Sequence, residues 1–318
     1  MREKLSFLSL AVKEPGKALK MARIAREFRQ LALYRIVDTL EHQLSRPWTS
    51  WPDKEFAFLL YGALVEEGVA VWRSDGSLEL VRRPEPPGKL SPEIADFAVV
   101  VERTVNMLPE LLEGKRRFFA EKDLLLLYAK FLDNLGYNWF RRAALGTILP
   151  RELRTRRDAV IVDVGAGIGL STLALLELTR GTVIAVDPLE ENLEIARDYA
   201  TIHRAHYRLR TLRGYAEDFK LENPADAAVL FNVLHWCNNP RLAVRNSAGN
   251  VKSGGHLVVV QGVRDEKTAR LGVPIAYALG SRLPPTRGEL LAMVKEEGLR
   301  VEKHYASPIS DMLLARVP

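Results

Sequence analysis

The sequence predicts an α/β protein with a helical first half, followed by a seven-stranded, mostly parallel sheet whose last strand is antiparallel. Three observations predict it. From residue 158 onward, short β-branched apolar runs alternate with helical stretches, the pattern of a parallel sheet covered by helices. Before that point apolar residues recur at helical spacing, interrupted by a single hairpin signal. Charge divides at the same place: residues 1–157 hold 27 Lys and Arg against 21 Asp and Glu, whereas 158–318 hold 19 of each. A chain of 318 residues with 47% hydrophobic content has room for two cores. The expected divisions are 1–85, 86–157 and 158–318.

Residues 17–45 place Leu19, Ala22, Ile24, Phe28, Leu31, Tyr34, Val37, Leu40 and Leu44 at helical spacing. Arg46-Pro47 ends the pattern, because the proline ring restricts the residue before it. Pro52-Asp53 opens a helix over 53–68, with Phe56, Leu59, Leu60, Ala63 and Leu64 on its apolar face. VAVWRSDGSLELV (69–81) then reads as two short strands joined at Ser74-Asp75-Gly76-Ser77. Three helices followed by a hairpin is the order of a winged helix. A DNA reader needs polar and basic residues on its recognition helix, but helix 53–68 is apolar on one side and ends in Glu66-Glu67. Residues 1–85 therefore read as a winged-helix-like dimerisation module, and nucleic acid is not expected as its partner.

The proline-rich stretch Arg83-Pro84-Glu85-Pro86-Pro87-Gly88 leads into residues 92–113 and about 116–146, read as two long helices. Aromatic residues crowd the second, and those at its end either pack in a core or roof a ligand. Tyr137, Trp139 and Arg141 are the substrate candidates there. Between 141 and 157 lie six arginines and one acid, Glu152, which form either a solvated face or a contact for an anion.

In the second half, strands are expected at 159–164, 182–187, near 207–213, 226–234, 255–261, 299–306 and 311–317, with helices at 170–178, 189–205, 239–251 and 286–297. The two closing strands are joined by Ser307-Pro308-Ile309-Ser310, hence the antiparallel ending. This alternation is Rossmann-like. The first strand runs into AVIVDVGAGIGLST (159–172), where Gly165, Gly167 and Gly169 mark the strand-to-helix turn. Glycines let backbone amides approach a ligand closely, and the helix N-terminus beyond them favours negative charge. Asp163 can meet a positive group beside that turn. Asp187 ends the second strand, placed to accept hydrogen bonds from both hydroxyls of a ribose. A dinucleotide site would need G-x-G-x-x-G/A, but position 170 is leucine.

VDVGAGIG (162–169), AVDP (185–188), GYAEDF (214–219), FNVLHW (231–236) and KSGGHLVVVQG (252–262) together resemble class I S-adenosylmethionine-dependent methyltransferases, in order and spacing. The arrangement resembles in particular the small-molecule O-methyltransferases that carry an N-terminal winged-helix dimerisation domain. The resemblance implies S-adenosylmethionine as cofactor. It implies contacts at Asp163, Gly165, Ala166, Gly167 and Gly169 of the turn, at Asp187 and Pro188, at Ala216, Glu217 and Asp218, and at Asn232. Where the family has Gly-Asp, with the acid on the adenine amino group, this chain has Gly214-Tyr215, so Glu217 or Asp218 would take that place, or Tyr215 would pack on the ring.

By the same resemblance His235 falls where a general base removes the acceptor's hydroxyl proton, with Trp236 beside the substrate. His235 can equally be a packing residue. The implied function is methylation of a small molecule at oxygen, the acceptor being aromatic or anionic. Two other readings are an RNA or protein methyltransferase that uses the arginines, and a regulatory protein whose winged helix reads DNA. The one cysteine, Cys237, excludes a disulfide framework and fits a reducing, cytoplasmic setting. No membrane span or metal cluster is expected. Three glutamines in 318 residues, few of the thermolabile amides, fit a thermophile.

Overall fold

The computed structural model describes residues 15–115, 122–132, 138–264, 271–307 and 310–318. Two compact units emerge: Glu14–Leu135 with Arg264–Leu283, and Gly136–Val263 with Pro284–Pro318. This division differs from the expected one. Residues 86–135 join the N-terminal helices, 136–157 join the sheet, and 264–283 leave the sheet part of the sequence to join the helical unit.

The helical unit starts with α1 (Pro15–Leu40), which buries Ile24, Leu31, Ile36, Val37 and Leu40. With no proline or glycine between 17 and 46, nothing interrupts the helix, so one helix stands where the three-helix order needs two. α2 (Lys54–Glu66) begins where the Asp53 carboxylate accepts the Phe56 amide at 3.1 Å. The hairpin follows as β1 (Ala70–Trp72) and β2 (Leu78–Leu80), its turn closed by Ser77 donating to Asp75. The single helix expected over 92–113 breaks into α3 (Pro92–Asn106) and α4 (Leu108–Leu112), because Pro109 has no amide to continue the ladder. α5 (Lys122–Leu132) brings Phe131 to a stacked contact with Phe97, ring centroids 3.5 Å apart. The returning segment carries the short helix Gly272–Ala278, where Tyr277 stacks on Phe56 at 4.4 Å and its hydroxyl donates to Asp53.

The second unit opens with α6 (Asn138–Ile148) and α7 (Arg151–Thr155). Then come β3 (Val160–Val164), α8 (Leu170–Leu178), β4 (Thr182–Asp187), α9 (Glu190–Ile202), β5 (Leu209–Arg213), β6 (Ala225–Phe231), α10 (Pro240–Gly249) and β7 (Val251–Gly262). α11 (Arg287–Glu296), β8 (Arg300–Ala306) and β9 (Ser310–Arg316) complete it. The sheet order is β5-β4-β3-β6-β7-β9-β8; the first five strands are parallel, and β9 runs antiparallel between β7 and β8. Alternate strand residues face opposite layers, as the period of two demands. Val162, Ala228, Leu230 and Leu257 pack with α10 and α11, while Ile161, Ala227, Val229 and Val258 pack with α6, α8 and α9. Pro308 and Ile309 of the expected closing turn lie outside the described residues.

The end of the sheet is held by one buried carboxylate. Asp311 in β9 accepts two contacts from Arg287 Nε (2.9 and 3.0 Å), one from Arg287 Nη2 (2.9 Å) and one from His304 Nε2 (2.7 Å). Arg287→Ala strips most of these donors from a fully buried acid, so a loss of about 2–3 kcal/mol in chemical denaturation is expected.

Candidate functional site

Parallel pairing of β4, β3 and β6 puts the three turns that follow them at one edge of the sheet. The glycine turn is the centre. Gly165 and Ala166 donate their amides to the Val186 carbonyl at 2.8 and 2.9 Å, tying the turn to β4. Its three glycines serve different ends. A Cβ at Gly165 would lie 2.0 Å from Val233 Cγ2, and one at Gly169 would lie 2.5 Å from Ala196 Cβ, so both are needed for packing. At Gly167, with φ +55°, a Cβ would meet nothing within 4 Å. Of the three glycines, it is the one at which a ligand has room to approach the backbone.

Asp163 is fully buried in β3, and its Oδ2 accepts from Ser171 Oγ at 2.8 Å and Thr172 Oγ1 at 2.6 Å. Those hydroxyls fasten the start of α8 to the strand. Asp163 Oδ1 is buried with no hydrogen-bond donor among the described residues. Burial pushes the carboxyl up to about 6 against the two hydroxyls and the nearby Arg141 charge. Asp187, also buried, takes the Gly167 amide on Oδ2 (2.8 Å) and both the Leu189 amide and Asn192 Nδ2 on Oδ1 (3.0 Å each). Its carboxyl is likewise raised by burial.

S-adenosylmethionine carries an ammonium, a ribose and an adenine, and these residues fit the first two: an orphaned buried carboxylate oxygen at Asp163, open backbone at Gly167, and an acid at Asp187 with about one of its four lone-pair sites still unused. The carbonyl of Pro188, next to Asp187, accepts from Arg213 Nε at 3.2 Å. In the 214–219 stretch, Ala216 is buried, Tyr215 and Asp218 are exposed, and the Glu217 carboxylate accepts the Asn239 amide at 3.1 Å. Asn239 is the cap of α10.

The turn after β6 holds the other candidates. β6 stops at Phe231, earlier than the strand expected to 234, because Asn232 takes a left-handed φ of +52°. Asn232 Oδ1 accepts the Gly262 amide at 2.7 Å and so ties this turn to the end of β7. His235 Nδ1 lies 3.1 Å from Gln261 Nε2, and its ring centroid is 5.4 Å from that of Trp236. Part of the residue reaches solvent, yet the ring is packed deeply enough that desolvation brings its pKa down to about 4. Arg141 on α6 is buried, with its guanidinium 5.5 Å from the centre of the Phe231 ring, and Trp139 is half-buried on the same helix. Tyr137 lies outside the described residues. Among the described residues no three His, Cys, Asp or Glu side chains gather as a metal-ligand set.

Ser171, Thr172, Asn192 and Gln261 are site residues that sequence reasoning missed. The last left a signal: Gln261 is a lone amide in the apolar run HLVVVQ. Asp163 also supplies a stability test. Between its ordinary value near 3.8 and about 6, the folded chain holds a proton that the unfolded chain has released, so its contribution falls as pH rises through that window. Asp163→Asn, neutral throughout, should gain on the wild type by up to about 3 kcal/mol between pH ~4 and ~7 in paired urea titrations.

Residues 162–259 match the family described as a methyltransferase domain. An uncharacterized methyltransferase of Mycobacterium bovis is 34% identical over 126 residues, which are 39% of this chain and 46% of that protein. A ubiquinone biosynthesis O-methyltransferase of Rickettsia felis is 29% identical over 165 residues, 46% of this chain and 66% of that one. The chain spans about half the length of the first of these relatives. Its fold is similar along nearly its whole length to an O-methyltransferase family 2 protein from Planctomyces limnophilus, solved in complex with apigenin. There the TM-score is 0.62 at 17% identity, covering 95% of this chain and 96% of that one. Residues 162–259, which carry the glycine turn, Asp163 and Asp187, thus match a methyltransferase domain, on a fold similar to that of the O-methyltransferase family 2 protein.

Proposed function

We propose that the protein methylates an oxygen atom of a small-molecule acceptor. The observation that carries this reading is the shared edge of β4, β3 and β6: the cofactor-type turn and the His235 turn sit against each other there, through Gly165 and Val233. When bound, S-adenosylmethionine supplies a sulfonium methyl group for in-line displacement by an acceptor lone pair. The chain's own part is to hold and align. Asp187, held in place by the Gly167 amide, would take the ribose side, the free oxygen of Asp163 the ammonium side, and positioning supplies most of the acceleration. Glu217, Asp218 or Tyr215 would serve the adenine.

Arg141, Trp139 and Trp236 are proposed to shape the acceptor site, which suits an aromatic or anionic molecule. Half of the arginine run is already engaged within the chain. Arg142 pairs with Glu177, Arg156 with Asp158 and Asp226, and Arg154 donates to the Gly146 carbonyl. The name of the Rickettsia relative supports oxygen as the methylated atom. No helix among the described residues is long and apolar enough to cross a membrane. The buried Cys237 fits action in the cytoplasm.

Transfer of a labelled methyl group from S-adenosylmethionine to phenolic and carboxylic acceptors, read by mass spectrometry, tests the activity; no transfer to any oxygen acceptor overturns it. Asp187→Ala is expected to weaken S-adenosylmethionine binding at least ~10-fold by calorimetry, as loss of charge-assisted hydrogen bonds implies. Unchanged affinity would remove Asp187 from the site. The N-terminal hairpin exposes Val71, Trp72 and Val81, which supports the helical unit as a dimer contact. Light scattering should find twice the chain mass, and a Trp72→Glu variant should shift it toward the monomer.

A further inference from the structure

The carboxamide of Gln261 has only one orientation that satisfies its neighbours. Gln261 is wholly buried at the end of β7. The Leu234 amide can only donate, so Oε1 faces it at 3.1 Å; the Gly262 carbonyl can only accept, so Nε2 faces that at 3.0 Å. The remaining contact of Nε2 is His235 Nδ1, at 3.1 Å. An amide nitrogen donates and has no lone pair to offer, so Nδ1 must present its own. A neutral imidazole carries one bare and one protonated nitrogen, which places the ring proton on Nε2. The family-type base needs the reverse: a proton on Nδ1, and a bare Nε2 ready to take the acceptor's proton.

We propose that Gln261 is a positioning residue that holds His235 as a neutral Nε2–H donor, so that the acceptor is a small molecule with an acidic hydroxyl, a phenol or enol, methylated as its oxyanion. This rests on the methyl transfer proposed above and specifies its substrate class. With an oxyanion the lone pair that forms the O–CH3 bond is already free. The electron pair of the breaking S–CH3 bond goes to sulfur, the two charges cancel, and no proton is left over. An un-ionised alcohol would need a proton acceptor, and Nε2 already bears a proton. A hydrogen bond from Nε2–H to the oxyanion favours the ionised acceptor and lowers its pKa in the site. The surroundings keep the ring uncharged: burial depresses its basicity, and the titratable groups on the adjoining segments are the Cys237 thiol, pushed up to about 12, and Glu217, which accepts the Asn239 amide.

Nitrogen NMR on the full chain labelled at its histidines reads the tautomer directly, with assignment by a His235→Gln variant. Expected is a bare Nδ1 and a protonated Nε2 with no titration from about pH 5 to about pH 8. A proton on Nδ1, or a ring that titrates near its ordinary value, overturns the assignment. In Gln261→Glu a carboxylate takes the place of the donor, and the proton should move to Nδ1. Gln261→Met, which keeps the volume and introduces no charge, should give a mixture of tautomers and serves if the glutamate variant does not fold. With S-adenosylmethionine and a set of phenols of graded acidity, kcat/KM should follow each phenol's own ionisation, and Gln261→Glu should extend methylation to aliphatic alcohols. Wild-type methylation of aliphatic alcohols at rates matching the phenols would overturn the acceptor class. If no acceptor is methylated while Nε2 is found protonated, the methyl-transfer reading and its acceptor class fall, and the His235 tautomer stands.

Discussion

The absence of a side chain at Gly165 is the constraint on which the site depends. A single methyl group there would lie 2.0 Å from Val233 Cγ2. Only with hydrogen at that position can the turn after β3 lie against the turn after β6 while its amides still reach the Val186 carbonyl of β4. Three strand ends are thereby locked together. Asp187 extends the lock through the Gly167 amide, and Asn232 extends it to β7 through the Gly262 amide. The residues proposed for the ribose and ammonium, and His235, lie within a few positions of these ties.

The carboxylates of the protein fall into two groups with different electrostatics. Asp226 is near neighbours of opposite charge; although burial opposes it, the Val160 amide, Lys252 and Arg156 hold its pKa below the ordinary value. Asp163 and Asp187 have hydroxyl, amide and carboxamide partners instead, and burial raises both. Although the Arg141 charge favours the ionised Asp163, burial outweighs the partners of both acids, which favours a ligand that brings positive charge or donors. His235 fits the same logic from the other side. Deprived of water and given a donor at Nδ1, it stays neutral.

Local patterning carried much of this protein. The β-branched runs, the glycine turn, Asp187 at the end of the second strand and the antiparallel last strand were all legible, because each depends on residues adjacent in the chain and on a period of two or 3.6. What only the tertiary structure decided concerns partners far apart in sequence. Gly165 and Gly169 read as ligand glycines, but Val233 and Ala196, reached through the fold, claim them for packing. Asp163 looked like a pure ligand group, yet Ser171 and Thr172 engage one of its oxygens. Segment 264–283 follows a sheet strand in sequence but belongs with the helices through Tyr277, Phe56 and Asp53. His235 was visible from its place after the fourth strand. Its protonation pattern is set by Gln261, 26 residues away at the end of β7, and a side-chain contact between a turn and a distant strand leaves no periodic mark in the sequence of either.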